Sequence, residues 1–129
     1  MKLKRKPSKR KKYIIALDKL FSQFIRERDK NKCFTCGTTE NPTCGHLFTR
    51  ACYSTRWEER NAQCQCSGCN FRHEFNPHIF TNAYINKYGL IQYQKMYAQH
   101  ARSHKYTQKE LEQMLEQLKQ KLCLTKPKL

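Results

Sequence analysis

A chain of 129 residues has room for one domain of ordinary size, and its 38% hydrophobic content is thin for a packed core, so a bound metal is expected to help hold it. The 26 Lys and Arg against 10 Asp and Glu leave a formal charge of +16, a field that favours polyanions and nucleic acid above all. No run approaches the roughly 20 apolar residues of a membrane span, and the stretch YIIALDKL is broken by Asp18 and Lys19 and lacks a cleavage site. A cytoplasmic protein with reduced thiols is therefore expected, in which close pairs among the eight cysteines read as metal ligands rather than as a disulfide framework.

Eight of the first twelve residues are Lys or Arg, with no acid among them. Self-repulsion predicts an unstructured basic arm over 1–12, in which Lys9, Arg10, Lys11 and Lys12 contact phosphates; a solubilising tail or a localisation signal is the alternative. From Tyr13 to Asp29 the spacing of Ile14, Leu17, Phe21, Phe24 and Ile25, with Arg28 next in the series, predicts an amphipathic helix. Between Lys30 and Asn76 the pattern changes to Cys, Gly, Thr and Pro clusters with short apolar pieces, which suits turns and a hairpin tied by metal.

After Pro77 the helical period returns: Ile79 to Tyr88, stopped by Gly89, then a segment to about Arg102, then a stronger helix from Thr107. Thr107 and Glu110 have the spacing of a capping box, and Leu111, Leu115, Leu118 and Leu122 form a stripe. That stripe reads as packing within the same domain, with a dimer seam as the alternative. The helix is expected to end at Pro127 or before. The domain reading is one unit over 13–129, with its core at 30–89 and a helical part at 90–124.

Cys33 and Cys36 lie in CFTCG, and Cys66 and Cys69 lie in CSGCN, with 29 residues between the pairs. Each C-x2-C can present both sulfurs to one ion from a tight turn, and two such knuckles make a closed tetrahedral zinc site. Cys44, Cys52 and Cys64 compete for a place in it or make a second site. The gap holds His46, ten residues after the first knuckle, and Asn61, five residues before the second; Asn70 follows that knuckle directly. Zinc would fix all three relative to one another, and Asn70 brings an oxygen donor beside the sulfurs.

The order C-x2-C, Gly-His, Asn, C-x2-C-Asn resembles the HNH nucleases of ββα-metal fold in which a zinc knuckle supports the motif, as in recombination endonuclease VII. More closely, LDKLFSQFIRERD (17–29), CFTCG (33–37), CGHLFTR (44–50), STRWEERN (54–61), QCSGCN (65–70) and NKYG (86–89) are similar to the phage NinG family, also called Rap. The resemblance covers about residues 13 to 89. It implies an α+β, mostly helical fold: a small zinc-stabilised ββα-metal core flanked by an N-terminal helix and C-terminal helices. It further implies a DNA endonuclease acting on branched recombination intermediates such as Holliday junctions or D-loops. A dimer follows if a four-way junction is cut symmetrically.

The resemblance makes His46 the general base that takes a proton from the attacking water. It makes Asn61 the brace of the loop and of the histidine ring, and Asn70 a ligand of a catalytic Mg²⁺ or Mn²⁺. Many HNH sites place an Asp or His directly before the general base as a further ligand, where this chain has Gly45. Glu74, four residues after Asn70, is the first candidate to complete the coordination, and His73 the second. Arg50 and Arg56 are candidates to clamp the phosphates flanking the scissile bond, against pairing with Glu58 or Glu59. Trp57 and Tyr53 are assigned to packing, while His78, His100 and His104 are read as surface residues. The competing readings are a non-catalytic zinc-stabilised nucleic-acid-binding module and a zinc-stabilised adaptor that binds protein through its last helix.

Overall fold

The computed structural model describes residues 3–125, and the expected helix stop at Pro127 lies outside them. The helix α1 runs from Lys9 to Arg28, β1 from Pro42 to His46 and β2 from Ala62 to Cys66. Four helices follow: α2 (Ser67–His73), α3 (Pro77–Tyr88), α4 (Leu90–His100) and α5 (Gln108–Thr125). The class is mixed α and β, mostly helical, as the sequence implies. The described chain divides into two compact units, residues 3–21 with 106–125 and residues 22–105.

In the first unit α1 begins four residues before the apolar period predicts, which corrects the placement of Lys9, Arg10, Lys11 and Lys12 in an unstructured arm. The cause is Ser8: its hydroxyl accepts from the Lys11 N–H at 3.2 Å and its carbonyl from the Lys12 N–H at 3.0 Å, satisfying donors that a helix start otherwise leaves bare. Arg10 is tied down as well, its guanidinium donating to the Tyr106 carbonyl. The capping box forms as predicted: Thr107 Oγ1 accepts from the Glu110 N–H at 3.1 Å, and Glu110 Oε1 from the Thr107 N–H at 3.4 Å. Leu17 and Phe21 from α1 and Leu111, Leu115, Leu118 and Leu122 from α5 are the buried residues here, so the leucine stripe is covered within a single chain.

In the second unit β1 and β2 pair antiparallel, with Cys44 opposite Cys64 and His46 opposite Ala62. The last turn of α1 is locked to this hairpin by two charged residues. Arg28 donates to both carboxylate oxygens of Asp29, at 2.8 and 3.0 Å, and to the Glu59 and Ala62 carbonyls at 2.8 Å each; Asp29 Oδ2 accepts the Cys64 N–H at 2.8 Å. Burial would raise the Asp29 carboxyl, but the Arg28 and Cys64 hydrogen bonds outweigh it and hold it below the ordinary range. The apolar core gathers Leu47, Phe80, Tyr84 and Met96, with Phe34, Phe48, Tyr88 and Tyr93 packed against it. Gly89, at φ 89°, ends α3 and opens α4, a backbone conformation that a residue with a Cβ rarely adopts.

Candidate metal centre

The first knuckle is a turn in which Gly37, at φ 82°, returns its N–H to the Cys33 carbonyl at 2.9 Å. It is moored to the hairpin where Phe34 N–H donates to the Cys64 carbonyl at 2.8 Å. The second knuckle is the start of α2, with Cys66 as its N-cap accepting the Cys69 N–H on sulfur at 3.4 Å. The ladder that carries β2 past β1 therefore delivers Cys66 and Cys69 to Cys33 and Cys36. All four sulfurs lie within 4.8 Å of one another.

Cys36 Sγ and Cys66 Sγ are 3.7 Å apart. A tetrahedral zinc with bonds of ~2.3 Å sets its sulfurs about 3.8 Å apart, and a disulfide would need ~2.05 Å. All eight cysteines are free. Four crowded thiols cannot all ionise without a cation, and they divide accordingly. At Cys33 burial opposes the thiolate, but the N–H groups of Cys36, Cys66 and Thr35 bring it down to about 6. Cys69 is pushed up to about 12, by burial first and then by its sulfur neighbours. A divalent ion would remove that conflict, so the donor set fits a structural metal such as zinc. Cys44 and Cys64 face each other across the hairpin outside this set, and burial pushes Cys44 up to about 12. Among the described residues no second cluster of three or more metal-binding side chains forms.

Asn61 is fully buried and clasps one residue: its Oδ1 accepts the Phe48 N–H at 3.0 Å and its Nδ2 donates to the Phe48 carbonyl at 3.1 Å. One residue earlier, Leu47 N–H donates to the Asn61 carbonyl at 2.7 Å. The amide thus braces the loop that leaves β1 after His46 through the backbone of Phe48. Asn70 faces β1 at Thr43. The Thr43 hydroxyl donates its one proton to the Gln65 carbonyl at 2.8 Å, so toward Asn70 Nδ2, 3.1 Å away, it can only accept. That fixes the carboxamide with nitrogen toward the strand and oxygen away from it. Thr43 and His46 are three residues apart in β1, roughly 10 Å of strand, with the half-buried His46 at its end.

The place before His46 is filled by another residue. A Cβ built on Gly45 would lie 2.0 Å from Gln65 Oε1 and 2.8 Å from Gln65 Cδ, so no larger side chain fits at 45 while Gln65 keeps its position. Gln65 is buried, its Nε2 donates to Thr35 Oγ1 at 2.8 Å, and its Oε1 has no hydrogen-bond partner. Glu74 is the exposed C-cap of α2, and His73 packs its ring 4.8 Å from Phe80. Arg56 donates to the Arg50 carbonyl at 2.8 Å and lies over the rings of Tyr53 and Trp57, at 5.0 and 5.4 Å. His100, read from sequence as a surface residue, is part-exposed and stacks on Phe48, with ring centroids 3.9 Å apart and planes within 4°.

Sequence reasoning missed Thr43, Gln65 and Asp29. Arg28, continuing the apolar series of α1, was the signal for the last of these: a charged group on a buried face brings a partner with it. Thr43 and Gln65 carry no such signal, because their roles come from the register of the hairpin.

The family described as "Bacteriophage Lambda NinG protein" matches residues 1–127. Over 103 residues the chain is 32% identical to "Protein ninG" of Salmonella phage P22, covering 77% of this chain and 50% of that protein. It is 33% identical to "Protein ninG" of Escherichia phage 933W over the same length, covering 77% and 51%. The chain spans about half the length of these curated relatives. No solved structure matches it. A match over nearly the whole sequence shows that the chain belongs to the NinG family.

Proposed function

We propose that the chain is a metal-dependent DNA endonuclease of HNH type whose substrates are branched recombination intermediates. The observation that carries this reading is the orientation of Asn70: Thr43 holds its nitrogen, which leaves the oxygen as the outward end, at the start of the helix that the sulfur cluster anchors. An amide oxygen presented in this way suits Mg²⁺ or Mn²⁺. The donors that would hold such an ion are Asn70 Oδ1 and, one turn on, Glu74. Bound there, the ion would supply charge stabilisation to the phosphate and to the leaving oxygen. His46 takes the proton of the attacking water, and Asn61 keeps the loop after it from moving by holding both backbone groups of Phe48. The reading requires a reducing compartment such as the host cytoplasm, where the four thiols stay available to zinc. Symmetric cutting of a four-way junction would require two copies, joined by a surface other than the buried leucine stripe.

The test is incubation of the zinc-loaded protein with Mg²⁺ and branched or duplex DNA beside His46→Ala. Loss of a general base is expected to slow cleavage by roughly 10²–10⁴-fold; equal rates would remove His46 from the mechanism. A second reading, a zinc-stabilised nucleic-acid-binding module without catalysis, draws on Gly45, where Gln65 fills the room a further ligand would need. It predicts salt-sensitive binding that neither His46→Ala nor removal of Mg²⁺ alters.

A further inference from the structure

The end of α1, the first knuckle and the last turn of α3 border an open pocket of about 340 Å³ whose lining includes Arg28, Lys30, Lys32 and Lys87. Its one carboxylate, Asp29, is bound by both forks of Arg28 and by the Cys64 N–H. Arg28 holds the Asp29 carboxylate by hydrogen bonds and Lys87 meets it only through space, so the lining sets four cations against one anion. None of His46, Asn61 and Asn70 lines it.

Lys87 is held by contacts within the protein. Its ammonium donates to Gln63 Oε1 at 3.3 Å and lies 5.3 Å from the Phe34 ring centroid and 5.1 Å from that of Tyr88. Gln63 is itself fully buried and fixed, donating to the Tyr88 hydroxyl at 2.9 Å. An ammonium has three donors, and Gln63 takes one.

Lys30 and Asn31 stand at φ 54° and 58°, two successive left-handed residues closed by N–H bonds to the Glu27 and Arg26 carbonyls. Such a conformation is unfavourable for a residue with an ordinary Cβ, and glycine would avoid it. The chain instead carries a lysine there, and that lysine lines the pocket.

We propose that this pocket binds a phosphate of a polynucleotide backbone, with Lys30 and Lys87 as its direct contacts, apart from the residues assigned to hydrolysis. The inference rests on the reading of DNA as substrate. Lysine ammoniums are compact point charges that meet phosphate oxygens without needing a fixed fork, and a chain of +16 meets a polyanion with matching charge along its length. The competing role for these lysines is to neutralise the thiolates of the neighbouring knuckle, since Cys33 also lines the pocket.

The experiment is binding rather than cleavage, so a protein that cuts nothing still gives an answer. Labelled duplex and four-way junction are titrated with zinc-loaded wild type and with the Lys30→Gln, Lys87→Gln double variant, by fluorescence anisotropy between about 50 and 200 mM salt. The expected result is weaker binding by the variant, a fall of roughly 1.8 in the steepness of log K against log salt for the duplex, about 0.9 for each lost contact, and unchanged zinc content. The same slope in both proteins would overturn the proposal. Loss of zinc from the variant would assign the lysines to the knuckle and overturn it too. Calorimetric binding of inorganic phosphate by wild type alone, with equal DNA affinity in both, would make the pocket a site for free phosphate instead.

Discussion

Thr43 has one hydroxyl proton, and the Gln65 carbonyl takes it. The orientation of Asn70 follows from that, so the hydroxyl can be tested alone. Thr43→Val removes the acceptor that holds Nδ2 and frees the amide to turn, while Thr43→Ser keeps it. Cleavage is expected to fall about tenfold in the valine variant, the worth of one hydrogen bond of ~1.4 kcal/mol, and to stay near wild type in the serine variant. Equal activity of the two would show that the amide is oriented by something else. Asn61 is a different case, because both ends of its side chain are used on Phe48. Asn61→Ala leaves a backbone N–H and a carbonyl unmatched, at about 1–3 kcal/mol each. Urea unfolding of the zinc-loaded protein should show the loss, and an unchanged midpoint would contradict the clasp. Gly45→Ala should cost about 1–3 kcal/mol by the same measurement, with part regained on adding Gln65→Ala, because the clash is with that one side chain.

At the scale of elements, α5 carries the clearest prediction. Leu111 is fully buried in a single chain, so Leu111→Ala should cost about 2–5 kcal/mol in unfolding and leave the sedimentation coefficient unchanged. A change in mass without a change in stability would restore the stripe as a dimer seam. The helices were legible because their signals are local: the period of Leu17, Phe21 and Ile25, the Thr107–Glu110 box and the stop at Gly89 each act within a turn or two. The start of α1 was misplaced because a run of lysines argues for repulsion, whereas one serine hydroxyl at the right offset decides the cap. The four-cysteine set was legible from two equal spacings. The Gly45–Gln65 exchange was not, since it depends on which residues the hairpin register sets side by side. The stacking of His100 was not legible for a related reason: its partner Phe48 lies 52 positions away in sequence.

For the whole molecule the sulfur cluster sets the pH dependence. Without metal the thiols pull in opposite directions, since Cys33 is brought down to about 6, which favours high pH, while Cys69 is pushed up to about 12, which favours low pH. Metal binding decides the sign in favour of high pH, because protons compete with the ion for all four sulfurs. A zinc-loaded sample should therefore surrender its metal to a chelator progressively faster as pH drops from about 8 to about 5. A rate independent of pH would mean that the thiols are not the ligands. The positive charge acts over a longer range and needs only ionic strength to test it.

The knuckles hold the first turn, the hairpin and the start of α2 in one place, and the assignments of His46 and Asn70 depend on them. X-ray absorption at the zinc edge of the purified protein, with metal content measured on the same sample, addresses this directly. The expected result is one zinc per chain with four sulfurs at about 2.3 Å. A shell containing nitrogen or oxygen, or a folded chain with these cysteines paired as disulfides, would contradict it.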